Sequence, residues 1–436
     1  MTSENATPSA AVLKADDVDE ILRVLWYTPG IERWGLPGLV VGPPGTAKTF
    51  RVKALCRALG LHGVPVLASL RQPEDFLGMP LPVRDPAERD RLLAWVRARV
   101  PGARAVEAPD GIMFCLTEYA PPRWAVEAAA AGRACVILDE ANRTPPAVQS
   151  ALLRVVLEGV VGDFVLPPTV RFTAIMNPAG SSGTWDLSDA LANRFGHFIW
   201  PTPTIAAWSQ YMASAGRVGA ARANTESTRD AAELEASVEA NWPAHYAEAV
   251  GLVSGFLSAR PNLHHDQPED GDPACSGAWP SPRTWDMGTR AVASARLHGL
   301  SKSMQLTLIS AFVGPGAGAE FATWATEADL PDPVRLLDGD AQWTHNPTRL
   351  DRTVAVLQSC ATLIMQSAAG DPKRVDRSAK LWSIMRPIVD TAPDVCLAAA
   401  EPLSKGRLGS TTPDAMKVAA KLWPTVDATR GVRRAS

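Results

Sequence analysis

The stretch LVVGPPGTAKT, positions 39–49, joins a short apolar run to a glycine-rich turn and then to a helical segment, 50–59. Glycines let the backbone N–H groups of such a turn curl around an anion, and the helix N-terminus adds favourable partial charge. The pattern therefore predicts a phosphate-binding loop, with Ala47 in a position where glycine is usual. The predicted phosphate-binding residues are Gly42, Pro43, Pro44, Gly45, Thr46, Ala47, Lys48 and Thr49.

Roles within this loop follow from side-chain chemistry. The Lys48 ammonium can reach the β- and γ-phosphates of a nucleotide, and the Thr49 hydroxyl can bind Mg²⁺.

A second apolar run, ACVIL at 134–138, ends in Asp139 and Glu140. Paired carboxylates at the end of a buried strand suit Asp139 to the Mg²⁺ shell and Glu140 to polarising an attacking water. Without the upstream loop, the same pair would mark only the end of a strand.

Three further polar residues are candidates for catalysis. Asn177 follows the run FTAIM, where its amide can orient a water or can simply belong to an Asn-Pro turn. Arg194, in LANRF, is either a surface residue or an arginine finger that reaches the γ-phosphate of a neighbouring subunit. Arg283 opens a helical segment after two prolines and is a candidate reporter of nucleotide state.

The order of apolar and helical segments predicts an α/β fold with a parallel sheet flanked by helices. Beyond about residue 202 helical segments dominate, which predicts a helical lid and an all-α C-terminal extension. The expected strands are Leu39–Val41, Val64–Ala68, Cys135–Leu138, Phe172–Met176 and His197–Trp200. The expected divisions are a flexible N-terminus at 1–14, an α/β nucleotide-binding domain at 15–202, a helical lid at 203–300 with an inserted polar segment near 213–240, and a helical C-terminal region at 301–436.

Composition narrows the function classes. The chain has 43 basic and 46 acidic residues, a net charge of −3, which does not favour a nucleic-acid-binding protein that acts through a global basic field. Six cysteines without a C-x-x-C pair indicate free thiols in a reducing compartment. No signal-peptide pattern opens the chain and no apolar run is long enough to span a membrane. A cytoplasmic protein without membrane insertion is the expectation.

Taken together, these motifs resemble those of the AAA+ ATPases, and more closely their MoxR-like branch. The loop at 42–49 is similar to the Walker A motif and 135–140 to Walker B. The most specific likeness is DEANRTPP at 139–146, continued by QSALL at 149–153. By the same resemblance Asn177 takes the sensor 1 position, Arg194 the arginine finger and Arg283 sensor 2.

The resemblance implies ATP and Mg²⁺ as ligands and a homo-oligomeric ring, usually a hexamer, with ATP between subunits. It also implies a chaperone-like remodelling activity on a protein partner that contains a von Willebrand factor A domain. A β-hairpin insertion is expected within 158–170, with its turn at Gly162-Asp163. The resemblance leaves open whether Arg283 acts in cis or in trans, and whether Arg143 has a catalytic role.

Two other functions remain compatible with the sequence. One is a nucleic-acid-stimulated AAA+ NTPase, such as a DNA motor or a component of a defence system. The other is a nucleotide-bound scaffold that does not hydrolyse, although such a scaffold has no need of Glu140, Asn177 and Arg194.

Overall fold

The computed structural model describes the backbone of residues 15–83, 87, 90–91, 94, 116–178, 185–206, 209, 212, 230–408 and 411–434. The expected flexible N-terminus, 1–14, lies outside these residues, as do residues 213–229 of the expected polar insertion. Among the described residues, no helix combines the length and the apolar character needed to cross a membrane.

A parallel sheet of five strands forms the centre of the first half of the chain. The strands of the described residues are β1 (Gly38–Val41), β2 (His62–Leu67), β3 (Met79–Val83), β4 (Leu116–Ala120), β5 (Ala134–Asp139), β6 (Val160–Val161), β7 (Phe164–Val165), β8 (Val170–Met176) and β9 (Gly196–Ile199). The sheet has the order β2-β5-β8-β1-β9, and every pair in it is parallel. The predicted α/β fold is therefore confirmed.

Helices cover both faces of this sheet, which explains why its strands are continuous apolar runs rather than alternating ones. All seven residues of β8 and the first five of β5 are buried. The described helices are α1 (Ala15–Trp26), α2 (Lys48–Ala58), α3 (Glu74–Leu77), α4 (Arg123–Ala131), α5 (Pro146–Glu158), α6 (Asp189–Ala192), α7 (Ala231–Ala259), α8 (Pro282–Leu297), α9 (Lys302–Val313), α10 (Pro315–Glu327), α11 (Pro333–Asp338), α12 (Leu350–Gln366), α13 (Lys373–Met385), α14 (Pro393–Lys405) and α15 (Pro413–Arg434).

Three apolar cores hold these layers together. One face of the sheet packs against α1, α2 and α7–α10, and the other face packs against α4, α5 and α6. Helices α11–α15 enclose a third core, in which Trp382 is almost fully buried. The predominantly helical character expected after the sheet is therefore present.

Two short antiparallel pairs stand outside the main sheet. The hairpin expected within 158–170 is present as β6 and β7, and its turn residue Gly162 has a left-handed φ of +61°. The pair β3–β4 was not expected, because Pro80 and Pro82 argue against a strand at Met79–Val83. A two-stranded ladder tolerates these prolines because each strand has a free edge.

Helix α7 begins earlier than the sequence suggested. Residues 231–240 were expected to belong to an insertion that is either helical and exposed or mobile; they are helical, but they form the first turns of α7. The Asp230 side chain accepts a hydrogen bond from the backbone N–H of Ala232 and caps this helix. Ala231, Glu235 and Val238 are buried, so this part of the helix presents one face to the protein interior.

The buried carboxylate of Glu235 fixes α7 to the sheet. Arg171, at the start of β8, is fully buried and donates from Nη2 to Glu235 Oε1. Arg133 donates from Nε to the other oxygen, Oε2, at 2.9 Å. The Arg171 guanidinium also donates from Nε to the carbonyl of Trp26 and lies over the ring of Tyr27. This network ties β8, α1 and α7 at one point.

Replacing Glu235 by alanine is expected to lower the free energy of unfolding by about 3–5 kcal/mol, because the Arg171 charge stays buried without its partner. Urea denaturation followed by circular dichroism measures this change. The matched control is Glu320→Ala, since Glu320 pairs with Arg260 where both side chains are more than half exposed. That control should cost less than about 1 kcal/mol, and equal losses in the two variants would contradict the prediction.

Candidate nucleotide-binding site

The loop between β1 and α2 is a turn with left-handed backbone at two positions. Gly45 has φ of +79° and Ala47 has φ of +59°. Gly42 is required for a different reason, because a Cβ there would lie 2.6 Å from Cβ of Trp200. The loop lines a cleft of about 310 Å³ at the carboxyl edge of the sheet.

The register of the sheet places the other predicted groups in the same cleft. Val41 pairs with Met176, and Asp139 pairs with Ile175, so β1, β5 and β8 end side by side. Residues 44–50, Asp139, Glu140 and Asn177 all line this cleft. Of the predicted loop residues, Gly42 and Pro43 are not among those that line the cleft.

Lys48 is 7 % exposed, and its ammonium group is bonded to the loop. Its Nζ donates to the carbonyl oxygens of Gly42 and Pro43, both at 2.7 Å, and lies 3.4 Å from Oδ1 of Asn177. Burial lowers the pKa of Lys48, while the negative charge of Asp139 acts in the opposite direction. The loop thus holds a positive charge at the centre of the cleft.

Thr49 and Asp139 form the pair that could hold a divalent cation. The Thr49 hydroxyl donates to Oδ2 of Asp139 at 2.6 Å, although the two residues are 90 positions apart. Mg²⁺ is usually held by one or two protein oxygens together with substrate phosphates and waters. The oxygen donors present fit that requirement. No cluster of three or more His, Cys, Asp or Glu side chains suited to a metal occurs among the described residues.

Glu140 is held at the edge of the cleft by a residue that the sequence did not single out. The Ser69 hydroxyl, just after β2, donates to Oε2 of Glu140 at 2.6 Å. Arg143 forms an ion pair with the same carboxylate, with Nη1 3.8 Å from Oε1. Glu140 also has a left-handed φ of +56°, a conformation that costs about 1–2 kcal/mol outside glycine. Surrounding contacts therefore constrain both the backbone and the side chain of Glu140.

Asn177 is positioned by Asn142, a second residue without a predicted role. The Asn142 side chain is 2 % exposed and donates from Nδ2 to the carbonyl oxygen of Asn177 at 2.9 Å. Asn142 lies two positions after Glu140, within the stretch DEANRTPP, where the sequence alone assigned it no role. This bond fixes the backbone from which the Asn177 amide extends toward Lys48.

Arg194 and Arg283 lie outside this cleft. Arg194 is half-buried and donates from Nη1 to the carbonyl of Ala190 at 2.5 Å, while its Nε is buried with no hydrogen-bond partner in the described part of the chain. Burial lowers the pKa of Arg194, the nearby Arg283 lowers it further, and Glu158 raises it. Arg283 is exposed. The two arginines are therefore near each other and separate from the loop of their own chain.

Comparison with known proteins gives a family match for part of the chain. Residues 37–195 match the AAA domain family, dynein-related subfamily. This part of the chain is an AAA domain.

Solved structures with some likeness to the chain include a candidate ATPase from Cytophaga hutchinsonii, at 18% identity and a TM-score of 0.40, covering 71% of this chain and 81% of that one. Another is a full-length MCM homologue from Methanopyrus kandleri, at 12% identity and a TM-score of 0.33. That alignment covers 73% of this chain and 56% of the homologue. No curated protein matches the chain.

Replacing Ala47 by glycine is expected to raise the free energy of unfolding of the AAA domain by about 1 kcal/mol, because glycine adopts the left-handed conformation without strain. Thermal or urea unfolding measures the change. Gly45→Ala is the matched control of opposite sign, since an added Cβ there meets nothing within 4 Å and only the backbone is strained. Ala47→Gly and Gly45→Ala shifting stability in the same direction would refute the argument.

Proposed function

We propose that this protein hydrolyses ATP as a MoxR-like AAA+ ATPase, in a homo-oligomeric ring, and uses that energy to remodel a protein partner. The observation that carries the proposal is the division of the catalytic groups. Lys48, Asp139, Glu140 and Asn177 share one cleft, whereas Arg194 stands apart from it. An ATP site with both sets of groups needs a second copy of the chain.

Each residue of the cleft has a role that its contacts support. The N–H groups of the loop and the Lys48 ammonium bind the phosphates of ATP. Thr49 and Asp139 would hold Mg²⁺, which neutralises charge on the β- and γ-phosphates when it is bound. Glu140, released from the Ser69 hydroxyl, accepts a proton from the attacking water. Asn177 orients that water through its amide.

The proposed reaction is a single displacement. The water oxygen forms a bond to the γ-phosphorus while the bond from that phosphorus to the bridging oxygen breaks, which gives ADP and phosphate. Arg194 of an adjacent copy neutralises the charge that develops on the transferred group. Because Arg283 lies beside Arg194 and outside the cleft of its own chain, we assign it to the same trans role.

The remodelling step and its partner rest on the resemblance of residues 139–153 to the MoxR-like branch. The proposed partner contains a von Willebrand factor A domain. The hairpin β6–β7 lies against α3 and β4, since a Cβ at Gly162 would meet the backbone of Leu77 and Cβ of Tyr119.

ATP turnover per subunit should rise with protein concentration, because each site is completed by a neighbour. Lys48→Ala should abolish ATP binding, whereas Glu140→Gln should bind ATP without hydrolysing it. Arg194→Ala should lower turnover by about 10³-fold or more. The control is Arg260→Ala, an exposed arginine at the end of α7, with normal turnover expected. Normal turnover in Arg194→Ala would disprove the shared site, and turnover that depends on added DNA would favour a nucleic-acid-stimulated NTPase instead.

Removing Mg²⁺ with EDTA is expected to stop turnover, and added Mg²⁺ should restore it. Asp139→Asn should raise the Mg²⁺ concentration needed for half-maximal turnover by about 10- to 100-fold, by analogy with the weakening that follows the loss of metal-site partners. A titration of turnover against Mg²⁺ measures this shift. Asp163→Asn, at an exposed residue of the hairpin turn, is the control and should match the wild type. Persistent turnover in chelator would show the metal assignment to be wrong.

A further inference from the structure

A buried hydrogen bond joins the residue before Arg194 to the start of the helix that carries Arg283. The Ser281 hydroxyl donates to Oδ1 of Asn193 at 2.9 Å, across 88 positions of sequence. Asn193 is 3 % exposed and Ser281 is 5 % exposed. A hydrogen bond in such surroundings is not exchanged with water, so it constrains the two segments strongly.

The rest of the Asn193 side chain is also engaged. Its Nδ2 donates to the carbonyl oxygen of Trp279 at 3.3 Å, and the same carbonyl accepts from the Thr284 hydroxyl at 3.0 Å. Ser281 caps α8 by accepting from the backbone N–H of Thr284. Residues 279–284 are thus hydrogen-bonded to one another and to Asn193. These bonds restrict the position of the helix N-terminus that carries Arg283.

Two further bonds brace the same region from the 260–282 connection. Gln267 donates from Nε2 to Oδ2 of Asp189 at 3.1 Å, and the Ser276 hydroxyl donates to the carbonyl of Leu187 at 2.8 Å. The short helix α6, which precedes Arg194, is therefore attached to this connection at several points. These bonds restrain the two segments relative to each other.

These bonds hold two like charges close to each other. Arg194 directly follows Asn193, and Arg283 stands two positions after Ser281. Bringing two guanidinium groups together costs free energy unless an anion lies between or beside them. Glu158 of the same chain offsets part of the charge of Arg194. The polyanionic phosphates of a nucleotide on a neighbouring copy would offset both charges, and guanidinium groups are well suited to them.

We propose that Asn193 is a positioning residue for hydrolysis in the adjacent subunit: through Ser281 it fixes Arg194 and Arg283 as one two-cation unit directed at the phosphates of ATP bound by a neighbouring copy. The inference rests on the proposed function, because it requires both arginines to act in trans. Beyond the proposed function, it states that the positions of Arg194 and Arg283 both depend on the bond between Asn193 and Ser281.

The test is turnover by Asn193→Ala in the full-length protein, with ATP affinity measured separately. Turnover should fall by about 10- to 100-fold, because small misplacements of a catalytic group cost that much. ATP affinity should stay normal, since the variant's own cleft is intact. Ser281→Ala should behave in the same way and replaces Asn193→Ala if that variant does not fold. Ser301→Ala is the control, because the Ser301 hydroxyl caps α9 by accepting from the backbone N–H of Met304, as Ser281 caps α8, and its turnover should be normal.

Mixing variants distinguishes positioning from general damage. Lys48→Ala subunits cannot hydrolyse but carry an intact Asn193 and both arginines, so they should restore turnover when mixed with Asn193→Ala subunits. Arg194→Ala mixed with Lys48→Ala is the reference for rescue in trans. Rescue of Arg194→Ala without rescue of Asn193→Ala, or normal turnover by Asn193→Ala alone, would overturn the inference. Failure of the reference mixture would overturn the proposed shared site itself, and this inference with it.

Discussion

The pairing of β8 with β5 on one side and β1 on the other sets the position of every group in the candidate site. Because the three strands are parallel and in register, their carboxyl ends meet at one edge. The phosphate-binding loop, the two carboxylates and the Asn177 amide each follow one of these ends directly. A shift of β8 by one residue would turn its side chains to the opposite face and would separate Asn177 from Lys48. The apolar cores on both faces of the sheet fix this register.

Sequence predicted the groups whose position depends on local chain geometry. The loop at 42–49 and the carboxylates at 139–140 were identified because each motif lies at the end of an apolar run. Ser69 was not, since its contact with Glu140 depends on the pairing of β2 with β5 rather than on neighbouring residues. The β3–β4 pair was missed because its prolines act against strand formation and its two strands are far apart in sequence.

The positions of Arg194 and Arg283 also depend on tertiary contacts that local sequence does not show. Each was chosen from its immediate sequence, yet their proximity depends on a bond between residues 193 and 281 that no local pattern reveals. Likewise, the alanine, glutamate and few large apolar side chains of residues 231–240 predicted an insertion that is either helical and exposed or mobile. In the structure this segment is partly buried, because the carboxylate of Glu235 pairs with the fully buried Arg171.

The Glu235–Arg171 pair fixes the N-terminal part of α7, so that a change in the angle of this long helix would move its other end most. Near its first turns the helix is fastened to the amino end of β8, while farther along it packs against α8 and α12. From Glu235 to Ala259 the helix rises about 36 Å, at about 1.5 Å per residue. A tilt of about 10° around the fastened end would therefore displace the far end by about 6 Å. Small rearrangements at the sheet would reach the C-terminal helices as movements the size of a helical turn.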